Sequence, residues 1–203
     1  HRPNPLLNYY LRTGLKIGIQ KSQFLRFHLQ ANIHYRFTKE IKTKLRIWAG
    51  GFIDDDNIPQ QYHTYLSGNI DPDFRNNYIF NRTADQNNSS IGTRQYDMGG
   101  PAIHGLLLDN GTMLGVDKWV ISTNFEITVP KLPGKPFVDL AVVEGGESYI
   151  DIGLKKSFGP LMIIMPLYQS WEKSEPIFTS NDWILDRLRI SVNFSNFNIR
   201  SLF

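Results

Sequence analysis

Residues 25–37 read Leu-Arg-Phe-His-Leu-Gln-Ala-Asn-Ile-His-Tyr-Arg-Phe, and this stretch decides the fold class. Every odd position, from Leu25 to Phe37, is apolar or aromatic, and every even position is polar. Successive side chains of a β-strand point to opposite faces of the sheet, so the segment predicts a strand with one apolar and one polar face. It is longer than the five or six residues of a typical globular strand and is long enough to cross a bilayer, which takes about 9–11 residues.

The composition of the 203-residue chain limits its class. Charged residues make up 20%, aromatic residues 13%, the formal net charge is +3, and the mean hydropathy is −0.31. No apolar run approaches the roughly 18 residues of a transmembrane helix, but alternation dilutes the hydropathy signal of a barrel. The chain has no cysteine, which excludes disulfides and thiolate chemistry. Because it begins at His1 without Met or a signal peptide, we expect a processed product or a fragment.

The alternation divides one domain, residues 1–203, into three regions. Strands are predicted within 8–53 and again within 113–203, joined by a long turn-rich loop over 54–112. Loops of this length are usually functional or disordered, and this one has room for short strands or helical turns of its own. The pattern predicts an all-β, antiparallel fold of about eight strands. Tight turns on one side and two long connections on the other are typical of an outer-membrane β-barrel.

The two faces of the predicted strands differ in a way that favours a membrane barrel. The polar face is rich in cations, which a water-filled lumen accommodates, and the apolar face carries aromatic residues near strand ends, as interfacial girdles do. A soluble sandwich or soluble ligand-binding β-barrel with ordinary core aromatics is the alternative, but strand length favours lipid. The predicted girdle residues are Tyr9, Tyr10, Phe37, Trp119, Phe137, Tyr149 and Trp183. The predicted lumen-facing cations are Arg26, Arg36, Lys44, Arg46, Arg187 and Arg189.

Five short motifs follow the long loop in an order and spacing that are similar to those of a known family. They are Asn124-Phe-Glu-Ile-Thr-Val-Pro130, Phe137-Val-Asp139, Ile152-Gly-Leu154, Phe158-Gly-Pro160 and Pro166-Leu167. Together they resemble the C-terminal part of the BamA/TamA-like barrels, which insert or translocate outer-membrane proteins. The resemblance covers about residues 95–203, and more loosely the three strands before them, in a divergent, Bacteroidota-like form.

The resemblance implies a site where the long loop meets the barrel wall. In that family a long extracellular loop folds into the lumen, and an Arg-Gly-aromatic tip pairs its Arg with acidic wall residues. The matching tip here is Ile103-His104-Gly105-Leu106, in which His replaces Arg and Leu replaces the aromatic residue. The resemblance implies that His104 donates to Glu126 or Asp139, with Asp139 as the wall carboxylate by position.

The resemblance also implies an incomplete barrel and its surroundings. The family barrel has sixteen strands, so this chain would be the C-terminal half, with the last strand, 183–196, at the seam. Half a barrel leaves open edges in lipid and needs an N-terminal half-barrel or partner subunits. The alternative is a complete eight-stranded barrel, whose interior only just fits side chains; the excess of long cations over acids favours the half.

The implied location is the outer membrane of a Gram-negative bacterium, in contact with outer-membrane lipid and lipopolysaccharide. The implied function is insertion or translocation of client outer-membrane proteins or of a fused passenger. The alternative function is a non-transporting membrane anchor or a surface-interaction barrel within a larger complex.

No motif indicates an enzyme, so we expect no catalytic residues, no metal and no cofactor. His28 and His34 share a face but lie about 20 Å apart along a strand, too far to bind one metal ion. The acids of 54–57 and 71–73 lack the ordered spacing of a calcium loop. The cations alternate with apolar positions and lack a separate aromatic platform, so no nucleic-acid partner is predicted.

Overall fold

The computed structural model describes residues 7–18, 24–53, 58, 63–66, 100–105, 108–109, 112–113, 115–159, 161–170 and 188–192. The strands in these ranges are β1 (Leu7–Gly18), β2 (Phe24–Arg36), β3 (Lys42–Phe52), β4 (Thr64–Tyr65), β5 (Leu108–Asp109), β6 (Thr112–Met113), β7 (Gly115–Val116), β8 (Trp119–Thr128), β9 (Lys135–Val143), β10 (Ser148–Phe158), β11 (Leu161–Gln169) and β12 (Arg189–Val192). Within the same ranges, no helix is long and apolar enough to cross a membrane.

Eight of these strands form one antiparallel sheet in the order β1-β2-β3-β8-β9-β10-β11-β12. The predicted all-β, antiparallel class is therefore confirmed. The strands that flank the long loop, β3 and β8, pair directly from Lys42 opposite Thr128 to Gly51 opposite Trp119. The connection between β3 and β8 contains four short strands, in which β4 pairs with β7 and β5 with β6. The main sheet resumes at Trp119, six residues after the predicted start at 113. Among the described residues, β1 and β12 are the two ends of the strand order.

The register aligns the apolar positions of neighbouring strands into continuous rows, and we call this side of the sheet the apolar face. Its side chains are exposed or half-buried: Tyr9 is 80% accessible and Ile152 is 40% accessible. A slip of one residue would exchange the two faces of a strand, so the shared register keeps the whole side apolar. One row runs through Tyr9, Ile33, Leu45, Phe125, Val138, Ile152 and Tyr168.

The opposite side, which we call the polar face, is covered over its central part. Asp139 and Asp151 are both 0% exposed, although they are charged residues. The burial is thus inverted relative to a soluble sheet, where the apolar side is the covered one. A central row of this face runs through Asn32, Arg46, Asn124, Asp139, Asp151 and Gln169.

An apolar cluster on the polar face helps to hold the long loop against the sheet. Ile103 and Leu66, both from the loop, are 0% exposed and pack within this cluster. The amide of Ile103 also donates to the carbonyl of Leu66 at 2.8 Å. The sheet contributes Trp48, Val120, Ala141, Val143 and Tyr149.

Three of the predicted girdle positions are wrong, and two of these three residues are buried. Phe137 and Tyr149 lie on the polar face, where they are 1% and 9% exposed. Phe137 is aligned with Glu126 and with Gly153, and the missing side chain of Gly153 leaves room for its ring. Apolar residues occur on both faces at these points, so apolarity alone does not identify the face.

The remaining girdle positions are mixed. Phe37 and Trp119 are exposed, like Tyr9. Tyr10 is aligned with Asn32 on the polar face, so its assignment to the apolar face is wrong. Trp183 lies outside the described residues.

We expect Gly153→Ala to destabilise the sheet. A Cβ at this position would lie 2.3 Å from the carbonyl oxygen of Met165 and 2.6 Å from Cζ of Phe137. Forced shifts of this kind lower the free energy of unfolding by about 1–3 kcal/mol. Chemical unfolding followed by tryptophan fluorescence measures the change. Ser157→Ala, on the same strand and exposed, is the control, and equal stability of the two variants would contradict the expectation.

Candidate functional site

Residues 100–105, Gly-Pro-Ala-Ile-His-Gly, lie on the polar face, and we call them the tip segment. All six residues are buried. Gly100 and Ala102 have φ values of 52° and 55°, in the left-handed region. A non-glycine residue is rare there and persists only where its surroundings fix it. The bonds from the sheet to this segment supply such surroundings.

Asp139 of β9 binds the tip segment through His104. Its Oδ2 accepts from the backbone amide of His104 at 2.7 Å and from Nδ1 of the same residue at 2.6 Å. Its Oδ1 accepts from the side-chain amide of Asn124 at 3.1 Å. A buried carboxylate is tolerated when donors of this kind surround it.

The contacts of His104 identify its protonation state. Nε2 lies 3.0 Å from Nζ of Lys155, and an ammonium group can only donate. Nε2 therefore accepts, and the imidazole is neutral with its proton on Nδ1, facing Asp139. Burial lowers the pKa of His104 below its usual 6.5, and this effect exceeds the opposing influence of Asp139. The ring also stacks on Phe137, with centroids 4.3 Å apart.

Glu126 of β8 joins the site through Lys155. Its Oε2 lies 2.5 Å from Nζ of Lys155, and its Oε1 lies 3.8 Å from Nζ of Lys44. The structure thus connects Glu126, Lys155, His104 and Asp139 in one chain of polar contacts. Of the two wall acids named from the resemblance, Asp139 contacts His104 directly, and Glu126 reaches it through Lys155.

Two arginines bind the main-chain carbonyls of the tip segment. Arg46 of β3 donates to the carbonyl oxygens of Gly100 and Pro101, the latter at 3.3 Å. Arg189 of β12 donates to the carbonyl oxygens of His104 and Gly105, both at 2.8 Å. These bonds satisfy carbonyl groups that the tip segment could not pair within itself.

The other predicted lumen cations lie at different places. Arg26 is 2% exposed and donates to the hydroxyl of Thr64 at 3.4 Å, so it contacts the loop away from the tip segment. Arg36 and Lys44 are half-buried on the polar face. Arg187 and Leu106 lie outside the described residues, as do the acids of 54–57 and 71–73. The role of these residues as a lumen site stays a prediction.

Three residues of the site escaped the sequence analysis as site residues: Ser122, Asn124 and Lys155. Ser122 donates to the carbonyl of Pro101 at 2.9 Å, and Asn124 donates to the carbonyl of Ala102 at 3.0 Å. A signal for the first two was present, because both alternate with apolar residues on the strand that carries Glu126. Alternation also assigns Lys155 to a polar face, but its contact with His104 depends on β10 meeting a loop segment distant in sequence.

The arrangement holds a loop in place and offers little room for chemistry. Nε2 of His104, the atom that would activate a nucleophile in a hydrolase, is occupied by Lys155. The cavity beside it has a volume of ≈ 20 Å³, enough for one water molecule. Among the described residues, no three His, Asp or Glu side chains are grouped closely enough to hold a metal ion.

We expect acid to loosen the tip segment through His104. Because the pKa of His104 is lower in the folded state, the unfolded chain binds the proton more strongly. The contribution to stability is therefore complete above the usual value of 6.5 and falls as the pH drops below it. Limited proteolysis and chemical unfolding at about pH 8 and about pH 5.5 measure the change.

His104→Asn removes the titration while keeping a donor toward Asp139, so it should flatten this pH dependence. His34→Asn, at an exposed histidine, is the matched control and should leave it unchanged. An unaltered pH dependence in His104→Asn would mean that another group is responsible.

No protein-family model matches the chain, and no significant match was found among curated proteins or solved structures.

Proposed function

We propose that this chain forms part of the wall of a BamA-like outer-membrane β-barrel that inserts or translocates outer-membrane proteins or a fused passenger. The observation that carries the proposal is the inverted burial of the sheet. Its apolar face is exposed on strand after strand, while the charged residues at the centre of its polar face are buried. Soluble monomers rarely expose contiguous apolar patches larger than a few hundred Å². Lipid is the solvent that suits such a face.

The lengths of the strands support a membrane-spanning role. β2 has 13 residues, β3 has 11, β8 has 10 and β10 has 11. A tilted strand needs about 9–11 residues to cross the hydrocarbon layer. These strands are also about twice as long as the usual globular strand, and their apolar rows continue along that length.

The seated tip segment supports the BamA-like part of the proposal. The family pattern has a cation on the tip and acids on the wall. Here Asp139 keeps the acid on the wall, but the cations that bind the tip, Lys155 and Arg189, are on the wall too. The neutral His104 takes the place of the tip arginine and joins both kinds of wall residue.

The presence of His104 where the family has a tip arginine also motivates a second candidate function, a non-transporting anchor or surface-interaction barrel. The tip segment is bonded to residues of β3, β8, β9, β10 and β12. A segment held from so many strands costs more to release than one held by a single ion pair. An anchor needs the loop only as a plug.

We expect a charge on the apolar face to disrupt folding in the membrane. Leu140 lies near the middle of β9 and is 44% exposed, and Leu132, in the turn 129–134 between β8 and β9, is 47% exposed. Arginine near the bilayer midplane costs about 2–4 kcal/mol, whereas near the interface it costs about 0–1 kcal/mol. Leu140→Arg should therefore lower assembly in outer membranes strongly, and Leu132→Arg should not.

Heat-modifiable gel mobility of the full-length protein in membrane fractions measures this assembly. Equal behaviour of the two variants, together with a folded monomer in the absence of detergent, would overturn the membrane proposal and favour a soluble ligand-binding barrel.

Asp139→Asn separates the two candidate functions. The change replaces a carboxylate that accepts three hydrogen bonds, and bonds to charged groups contribute about 1.5–3 kcal/mol each. We expect the tip segment to be released and insertion of a model outer-membrane protein into proteoliposomes to fall at least tenfold. Asp117→Asn, at an exposed acid, is the control. Undiminished insertion by Asp139→Asn would overturn the loop–wall mechanism, and a wild-type protein that inserts nothing would favour the anchor.

A further inference from the structure

A second, larger cavity opens on the polar face near the short turns 37–41 and 129–134. Its volume is ≈ 270 Å³. Register brings cations from different strands together there: Arg36 of β2 lies opposite Lys42 of β3, and Lys44 follows two residues along β3. Lys135, the first residue of β9, completes the set of four.

Little in the described structure balances these charges. One carboxylate, Glu126, lines the cavity against the four cations, and that carboxylate is also 2.5 Å from Lys155. Within the described part of the chain, Arg36, Lys42 and Lys135 make no ion pair. Like charges held close together repel each other, and a cleft lined by one sign of charge concentrates ligands of the opposite sign.

We propose that this cavity binds an acidic polypeptide segment. Arg36 and Lys135 are separated by three strand intervals, which is about 14 Å at roughly 4.8 Å per interval. A single phosphate or sulfate cannot span that distance, since charge-assisted hydrogen bonds are about 2.7–2.9 Å long. The site therefore suits an elongated ligand with several separate negative charges.

The spacing along β3 matches an extended peptide. Lys42 and Lys44 are two residues apart, which is about 7 Å along a strand. Alternate side chains of an extended ligand have the same separation, so acids at every second position would meet both lysines. The site deepens the proposed function and rests on it for the source of the peptide, a client segment arriving on the short-turn side of the membrane.

The test uses the full-length protein in detergent micelles and a short, fluorescently labelled oligoglutamate peptide. We expect saturable binding that weakens as salt is added, because exposed ion pairs are screened. The double variant Lys42→Gln/Lys135→Gln should lower the affinity by about 2–25-fold, since each exposed pair is worth roughly a factor of 1.4–5. Both residues are exposed, so we expect the variant to fold, and heat-modifiable mobility checks this.

The matched control is Lys39→Gln/Lys131→Gln, which removes the same charge from exposed turn positions outside the cavity. Its affinity should stay within about twofold of the unmodified protein. No oligoglutamate binding, or an equal loss in the control, would overturn the proposal. Displacement of the peptide by tripolyphosphate at lower concentration would instead assign a phosphate-bearing ligand. These outcomes are independent of the Leu140→Arg assay, so the peptide site can fail while the membrane proposal stands.

Discussion

Asp139 is a charged residue at 0% exposure in the middle of the sheet, and much of the loop's placement depends on it. Two of its three hydrogen bonds come from His104, and the third comes from Asn124. Removing the tip segment would leave the carboxylate with a single described donor. A buried polar group that loses its partners costs about 1–3 kcal/mol, and a charged group costs more. Asp139 of β9 is thus one of several sheet residues that hold the long loop, and it is the one whose burial depends most on the tip segment.

The partners of the buried arginines on the polar face weaken the argument that an excess of cations favours a half-barrel. Its cations outnumber its acids, which favoured a half-barrel over a crowded closed one. Yet Arg46 and Arg189 donate to four main-chain carbonyls of the tip segment. Backbone carbonyl groups therefore serve as hydrogen-bond acceptors for cations that lack a carboxylate partner. The interpretation as a half-barrel then rests on two points. One is the resemblance to a family of sixteen-stranded barrels, and the other is that β1 and β12 are the ends of the described strand order.

Period-two alternation explains which parts of the fold could be predicted from the sequence. It placed Arg26, Arg46 and Arg189 on one face, and in the register of the sheet all three lie on the polar face. The girdle assignment of Phe137 and Tyr149 failed because it followed their apolarity, whereas the polar face has apolar pockets made by Gly153 and by the cluster around Ile103. Neither pocket can be inferred from the alternation of residues along one strand.

The candidate site followed from a different kind of reasoning. The pairing of His104 with Asp139 came from the family resemblance, since no local pattern relates two residues so far apart. Lys155 was missed as a site residue because its partners come from the loop and from β8. Contacts between separate elements depend on register and loop path together, and alternation determines only the face.

Glu126 connects the two ends of the polar face. It lines the cationic cavity, and Lys155, which it contacts at 2.5 Å, also contacts Nε2 of His104. An anion bound near Lys44 would compete with Glu126 for that lysine and leave Glu126 more strongly paired with Lys155. The shared ion pair therefore couples occupancy of the cavity to the strength of the Lys155–His104 contact. If a bound anion changes the equilibrium for release of the tip segment by some factor, thermodynamic linkage requires that release changes the affinity for the anion by the same factor.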